Sequence, residues 1–286
     1  MPVNFKVIKG KKQLISVFCI FCNLFLLMKQ EIKAQVISNN GAYVSISSGI
    51  VIDFDTINVD NTTTINNEGT INASTINNAG TIQGNGNYNI ASNFINTGTF
   101  VCGTSTVNFD GTEITTIGGS NAIEFYNLIF NNTFATSPQI TLSINATAKN
   151  ILTMTKGKIN LAGFTITLGA AAATPGTLSY TDGWLYSGTF VRWFDNVISN
   201  AIPTSVGHFP MGTSATEYRP LWLGNSTALA TGGTISVVHN PIYPPASISA
   251  SYTDSSWAGG TVLEGRSNSS WAVSTANGLA SSGSNI

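Results

Sequence analysis

The sequence predicts an all-β protein in which a parallel β-helix, or solenoid, is followed by an antiparallel β-sandwich-like region. Short triplets of β-favouring residues recur between Asn and Gly residues over residues 57–101, as expected of a chain that turns at regular corners. No window shows the 3.6-residue periodicity of an amphipathic helix. All five tryptophans lie beyond residue 180, together with longer alternating segments of the kind found in antiparallel sheets.

The first 34 residues have the features of an export signal. A lysine-rich start precedes an apolar run at residues 14–28, which has the length of a signal-peptide core and is shorter than the roughly 20 residues of a membrane span. Ala34 is a small residue suited to a cleavage site, so we expect the mature chain to begin at Gln35 or Val36. No later segment is as long and apolar, which predicts a secreted or cell-surface protein without a transmembrane segment in the mature chain.

Residues 35–172 are predicted to form the solenoid. Near-repeats start at Ile65, Ile76 and Ile95, and each combines an Ile-Asn start with a Gly-Thr corner. Asn and Gly suit tight corners, whereas Ile and Thr favour the flat faces between them. The residues expected to point inward are Ile65, Ile71, Ile76, Ile82, Ile95 and Phe100. Equivalent asparagines on successive coils could hydrogen-bond along the stack, and a disordered low-complexity tract is the competing interpretation.

A change of composition at residues 170–176 (AAAATPG) places a domain boundary near Pro175. Before it, the apolar segments lengthen from Thr106 onward. After it, alternating segments such as residues 234–239 predict a β-sandwich-like domain over residues 173–286, either complete or truncated at its C-terminus.

Charge and cysteine content exclude some partners and cross-links. Charged residues make up only 9 % of the chain, and six of its twelve basic residues lie within the first 33 positions. The mature chain would carry six basic against twelve acidic residues, so the clustered positive charge that binds nucleic acid or anionic lipid is absent. The C-x-x-C pair lies inside the predicted signal, which leaves Cys102 alone and makes an intramolecular disulfide impossible.

Several motifs carry a resemblance to a known class of proteins. Residues 107–112 (VNFDGT), 125–132 (FYNLIFNN) and 157–169 (GKINLAGFTITLG) resemble β-helical rungs of large cell-surface proteins of Bacteroidota-type bacteria. In those proteins the rungs lead into a sandwich region, to which residues 188–193 and 218–221 are similar. The resemblance implies a fold rather than an activity.

The same resemblance bears on the route of export. It covers residues 106–273, and members of the class usually end in a separate sorting domain for type IX secretion. Residues 283–286 belong to a Ser/Gly tail that does not resemble such a domain. We therefore expect either a fragment of a longer protein or a different route out of the cell.

One acidic cluster of the sequence is a candidate catalytic site, and it also has a structural explanation. Asp53, Asp55 and Asp60 are the acidic cluster of the solenoid segment and could form a paired-carboxylate hydrolase site, but a solvated edge is the favoured interpretation. A polysaccharide lyase needs a basic residue beside carboxylates, and no Lys or Arg occurs between Lys33 and Lys149. The sequence thus predicts no catalytic residues, no cofactor and a protein that is not an enzyme.

Charged and imidazole side chains of the second region have structural explanations. His208 and His239 lack a third ligand at short spacing, so no metal site is predicted and both are expected to pack within strands. Arg192, Glu217 and Arg219 lie in the region predicted to be sandwich-like. Glu217 and Arg219 are expected to form a structural ion pair that ties strands together. Binding of a ligand by these charged residues is the alternative.

The candidate ligand-binding residues are aromatic: Trp184, Tyr186, Trp193 and Trp222. They could stack on sugar rings, although large aromatics at strand spacing are more often part of a core. We predict an exported structural or adhesion protein, a stiff solenoid stalk with a sandwich module, whose partners are an extracellular glycan or neighbouring surface proteins. The alternatives are a carbohydrate-binding module, part of a carbohydrate-active enzyme whose catalytic part is missing, and a passive spacer.

Overall fold

The computed structural model describes residues 34–39, 41–196, 207–224, 229–240, 252–254, 261–263 and 270–281. All regular elements in this part of the chain are β-strands and none is a helix, which confirms the all-β prediction. The predicted export signal up to residue 33 lies outside the described residues, as do Trp257 and the Ser/Gly tail over residues 283–286.

The strands up to residue 194 are short and closely spaced. In chain order they are β1 (Ala34–Asn39), β2 (Tyr43–Ile46), β3 (Val51–Val59), β4 (Thr64–Asn67), β5 (Thr70–Asn78), β6 (Thr81–Gln83), β7 (Asn87–Ile90), β8 (Phe94–Asn96), β9 (Thr99–Phe100), β10 (Thr106–Phe109), β11 (Thr115–Gly119), β12 (Ile123–Asn131), β13 (Ile140–Leu142), β14 (Ala146–Lys156), β15 (Lys158–Asn160), β16 (Thr165–Leu168), β17 (Thr177–Tyr180), β18 (Trp184–Tyr186) and β19 (Thr189–Phe194).

The strands beyond residue 194 belong to the region of the predicted sandwich. They are β20 (His208–Phe209), β21 (Leu221–Trp222), β22 (Leu229–Thr231), β23 (Gly233–Asn240), β24 (Tyr252–Asp254), β25 (Thr261–Leu263), β26 (Ser270–Ala276) and β27 (Ala280–Ser281).

The chain up to β19 winds into a β-solenoid of about seven turns. On its first face, the parallel rungs are residues 51–54 of β3, residues 70–73 of β5, β7, β10, residues 127–130 of β12, residues 151–154 of β14, and β17. The second face runs from β1 through the later parts of β3 and β5 to β8, β11, β13, β15 and β18.

The third face consists of two separate parallel stacks. The earlier stack contains β2, β4, β6 and β9. The later stack contains the first parts of β12 and β14 followed by β16 and β19. The coils also lengthen along the chain, because hydrogen-bonded asparagines on successive rungs are 17 residues apart at Asn72 and Asn89 but 23 apart at Asn127 and Asn150.

The interior of the solenoid is a column of apolar side chains. Ile65, Ile71, Ile76 and Ile82 are all buried there, which confirms their predicted inward direction. The residues that fill the column further along include several aromatic rings: Tyr88, Phe94, Phe109, Phe125 and Phe130.

Two of the predicted inward residues differ from the expectation. Ile95 is not in the core, because on β8 the alternation of the strand turns Phe94 and Asn96 inward and Ile95 outward. Phe100 is only partly buried, although it packs against the core and its ring lies 5.3 Å from that of Phe94. The prediction for Ile95 was wrong because the near-repeat that contains it begins one position out of phase with the pleat of its strand.

The corners of the coils are built from glycines and asparagines. A Cβ atom on Gly80 would lie 2.2 Å from the carbonyl oxygen of Asp60, and one on Gly98 would lie 2.2 Å from that of Gly80. These corners therefore need glycine because successive coils approach closely. Asn67 is fully buried at a corner, where its Oδ1 accepts the Gly69 N–H and its Nδ2 donates to a carbonyl of the next coil.

The parallel coils extend beyond the boundary predicted at residues 172/173. β17, β18 and β19 each pair in parallel with the coil before them, and the pattern changes only after Phe194. β19 pairs in parallel with β16 on one edge and antiparallel with β23 on the other, and β23 pairs antiparallel with β26. Antiparallel pairing thus follows the solenoid, whereas the arrangement of two facing sheets stays a prediction.

Candidate functional site

An aromatic cluster lies where the last coil meets the strands that follow it. We call it the end cluster and define it by five rings: Tyr180, Trp184, His208, Tyr218 and Trp222. Tyr180 lies on the last rung of the first face, and Trp184 lies on the last strand of the second face. His208 and Trp222 are register partners on the antiparallel strands β20 and β21, and Tyr218 lies in the segment between these two strands.

Backbone hydrogen bonds hold these segments together. Leu185 donates its N–H to the carbonyl of Pro210 at 2.9 Å, and the N–H of Gly212 donates to the carbonyl of Leu185 at 2.8 Å. Leu185 and Met211 thereby form a parallel bridge that continues the second face by one partial rung. The segment around β20 and β21 is thus attached to the end of the stack, which brings distant aromatic residues together.

His208 is the centre of the end cluster. Its ring stacks on Trp222 with centroids 4.8 Å apart and planes 5° apart, and the edge of Tyr180 meets it at 4.6 Å. His208 Nε2 and the Tyr218 hydroxyl lie 3.0 Å apart in a hydrogen bond. Burial, together with the nearby charge of Arg192, lowers the pKa of His208 to about 4, so the imidazole is neutral near pH 7.

Arg192 is hydrogen-bonded to the backbone of the end cluster. It is buried on β19, and its Nη1 donates to the carbonyl oxygen of His208 at 2.6 Å. The guanidinium also lies 5.3 Å from the ring centroid of Phe194 and 5.7 Å from that of Phe209, a cation–π arrangement. Arg192 therefore has a structural role in positioning His208.

Trp184 is enclosed on several sides by its neighbours. Its Nε1 donates to the carbonyl of Ser214 at 2.7 Å, and the Tyr218 ring lies 5.6 Å away at a tilt of 33°. Lys158, its register partner on the preceding coil, places Nζ 4.7 Å from the ring centroid. Trp184 is partly exposed, and Lys158 and the Tyr218 ring already lie against its indole.

The structure brings together only two of the four candidate aromatic residues. Trp184 and Trp222 belong to the end cluster, whereas Tyr186 is buried and Trp193 points to the outer side of β19, away from Arg192. The sequence-based choice missed Tyr180, Tyr218 and His208 as partners. The motif at residues 218–221 did mark Tyr218, but nothing in the local pattern shows which ring it would meet.

Glu217 and Arg219 form the predicted ion pair, but it is local. Arg219 Nε donates to Glu217 Oε1 at 2.8 Å, and the two residues are separated by one position in the same turn. Thr213 also donates to Glu217, at 2.8 Å, so the pair stabilises the 213–217 turn rather than tying strands together. These hydrogen bonds lower the pKa of Glu217.

The other groups considered in the sequence have structural environments. Asp53 and Asp55 are both exposed, and Asp53 accepts a hydrogen bond from Asn72 at 2.6 Å, which fits the solvated-edge interpretation. His239 is buried on β23 with its ring against Trp271. Among the described residues, no group of three or more His, Cys, Asp or Glu side chains is placed to hold a metal ion.

An amide ladder runs along the outside of the first face. Asn72 donates to Asp53 at 2.6 Å, Asn89 to Asn72 at 2.8 Å, and Asn108 to Asn89 at 3.2 Å. The ladder ends there because Ile129 occupies the register position after Asn108. Side-chain hydrogen bonds thus link successive coils, as the repeated asparagines predict.

Comparisons with known proteins return no relatives. No protein-family model matches the chain, and no match is found among curated proteins or solved structures. The described part of the chain contains no helix long and apolar enough to cross a membrane.

Proposed function

We propose that this protein is an exported, non-enzymatic structural and adhesion protein of the cell surface, in which the solenoid serves as a stiff stalk. The observation that carries the proposal is the unbroken parallel register of the first face from Val51 to Tyr180. Because each rung hydrogen-bonds only to its neighbours, such a stack extends along one direction and separates its two ends.

The surface of the stack fits this role. Its outward positions are mainly Thr and Asn, as in residues 56–58, 70–72 and 106–108. The amide ladder stiffens the first face by linking coils side chain to side chain. A surface of this kind is well hydrated and carries few charges, which suits a spacer that stands between a cell and its surroundings.

Location on the cell surface is supported by the sequence of the first 34 residues. The lysine-rich start, the apolar run and Ala34 make up an export signal. In this proposal β1 begins at the cleavage site and supplies the first rung of the second face, since its residues pair with the later part of β3. In this proposal the residues after Phe194, whose strands β23 and β26 pair antiparallel, would form a sandwich module at the other end of the stalk.

Duplication of one complete coil tests the stalk. Residues 70–86 pass once through all three faces, because Thr70 and Asn87 are register partners. A chain with these residues repeated should still be exported, should gain about 4.8 Å in length, and should support attachment of the cells that display it. A matched control repeats only residues 70–78, which shifts the register and should prevent folding.

The measurements are protease accessibility on intact cells, small-angle scattering of the purified chain, and attachment of displaying cells to a matrix. Retention of the chain inside the cell would contradict the proposal. So would loss of attachment when a complete coil is added and the variant folds, because a stalk tolerates added length whereas a function that depends on fixed coil geometry does not.

A further inference from the structure

We propose that the end cluster binds a neutral glycan, with Trp222 as the ring on which a sugar stacks. This inference rests on the proposed stalk, because it assigns the adhesive partner to one end of it. The rings of the end cluster are more exposed than those of the solenoid interior. The aromatic rings inside the solenoid, such as Tyr88 and Phe94, are at most 1 % exposed. In the end cluster, four rings remain partly exposed: Tyr180, Trp184, Tyr218 and Trp222.

Trp222 is held in place before any ligand arrives. His208 supports one face of its ring, and His208 is itself held by the Tyr218 hydroxyl and by the hydrogen bond from Arg192 to its carbonyl. A rigid aromatic plate loses little conformational entropy on binding, which favours affinity. The C–H face of a sugar packs on such a plate through dispersion and weak electrostatic contacts.

Trp184 has a different role in the site. Lys158, Tyr218 and the carbonyl of Ser214 already contact Trp184. Trp184 therefore forms a side wall of the site, and the sugar stacks on Trp222 instead. Lys158 is fixed against this wall, where its ammonium group can donate hydrogen bonds to sugar hydroxyls. The site therefore combines one platform, one wall and polar groups at its rim.

The charges at the rim select the ligand class. Lys158 and Arg219 are balanced by Asp182 and Glu217, and the last two lie exposed near Tyr218. An acidic polysaccharide would meet carboxylates as well as cations and would gain little net attraction. A neutral glycan can accept hydrogen bonds from Lys158 and donate to Asp182 without any charge to neutralise.

Affinity electrophoresis of the exported full-length chain tests this site. The gels contain neutral polysaccharides (a β-1,3-glucan, a β-1,4-xylan, dextran or starch), and a gel with alginate provides the acidic comparison. We expect slower migration in at least one neutral gel, unchanged in about 0.5 M NaCl because little of the energy is Coulombic. Trp222→Ala should weaken binding at least about tenfold, as removal of a central aromatic contact does.

Trp193→Ala is the matched control, since Trp193 is partly exposed but points to the outside of β19. It should leave migration unchanged. If Trp222→Ala lowers the melting temperature, Trp222→Leu provides the same test, because leucine keeps apolar volume against His208 but has no aromatic face.

Three outcomes would overturn the assignment: no retardation in any neutral gel, equal losses for the Trp193 and Trp222 variants, or retardation by alginate alone that salt abolishes. None of these outcomes affects export or the length gained by duplication of a coil. Failure of the glycan site is thereby distinguishable from failure of the stalk.

Discussion

The early and late coils of this solenoid have the same backbone pairing but different side-chain stabilisation. The coils between β3 and β11 are short, contain no Lys or Arg, and are linked outside by the Asp53–Asn108 amide ladder. The late coils are longer, and they end at buried Phe190, Phe194 and Phe209 and at the aromatic end cluster. Small polar residues thus link the outer surfaces of the early coils, whereas large rings cover the last rung of the late ones.

The largest effect is expected from a charge placed in the early core. Ile82 is 1 % exposed, so Ile82→Asp would bury a carboxylate without a partner and should cost several kcal/mol. Neighbouring coils should melt with it, because each rung is stabilised by the next. Urea unfolding followed by circular dichroism measures this loss. Thr81→Asp, on the outer side of the same strand, is the control and should cost less than about 1 kcal/mol.

Removal of a ring at the late end should have a large but local effect. Phe209 is fully buried and its ring lies 5.6 Å from that of Phe190, so Phe209→Ala should cost about 3–5 kcal/mol. Hydrogen exchange should show loss of protection in β17–β19 while the early coils keep theirs. Equal loss of protection in β5 and β7 would contradict the distinction between the two regions.

Low pH should selectively destabilise the late coils that contact the end cluster. The pKa of His208 is lowered to about 4 in the folded chain from its ordinary 6.5, so the unfolded chain binds more protons between these values. Stability should therefore be complete above pH 6.5 and fall as the pH drops towards 4. Thermal melts of the wild type and of His208→Gln over this range measure the difference, which should shrink as the pH falls. A constant difference would show that His208 does not carry this dependence.

The smallest effect is expected in the amide ladder. Asn89 takes part in two ladder hydrogen bonds, to Asn72 and from Asn108, so Asn89→Ala should cost about 1–2 kcal/mol. Asn77 donates a single such bond, to Asn58 at 2.9 Å, and Asn77→Ala should cost about half as much. Urea midpoints of the two variants compare them. Equal midpoints would mean that the ladder adds nothing beyond individual solvated amides.

The near-repeats correctly predicted Asn and Gly at the corners, but their spacing did not predict how many faces make up one coil. The repeats at Ile65 and Ile76 lie on different faces of the solenoid. Ile65 is on β4 in the third face, and Ile76 is on the part of β5 that belongs to the second face. The repeat at Ile95 lies one coil beyond the repeat at Ile76 and on the same face, because Asn77 and Ile95 are register partners. Corners on different faces resemble each other in sequence because each demands the same close approach, so the spacing alone does not reveal the number of faces.

The β-solenoid, its apolar interior and its glycine and asparagine corners could be predicted from the sequence, because alternation along a strand and the need for glycine at a close approach are local properties. The sequence does not show that Tyr180, Tyr218 and His208 contact one another, or that Trp193 and Tyr186 lie elsewhere. These contacts depend on how residues 207–222 return to the last rung. That return is set by non-local backbone hydrogen bonds such as Leu185 to Pro210, which leave no periodic signal in the chain.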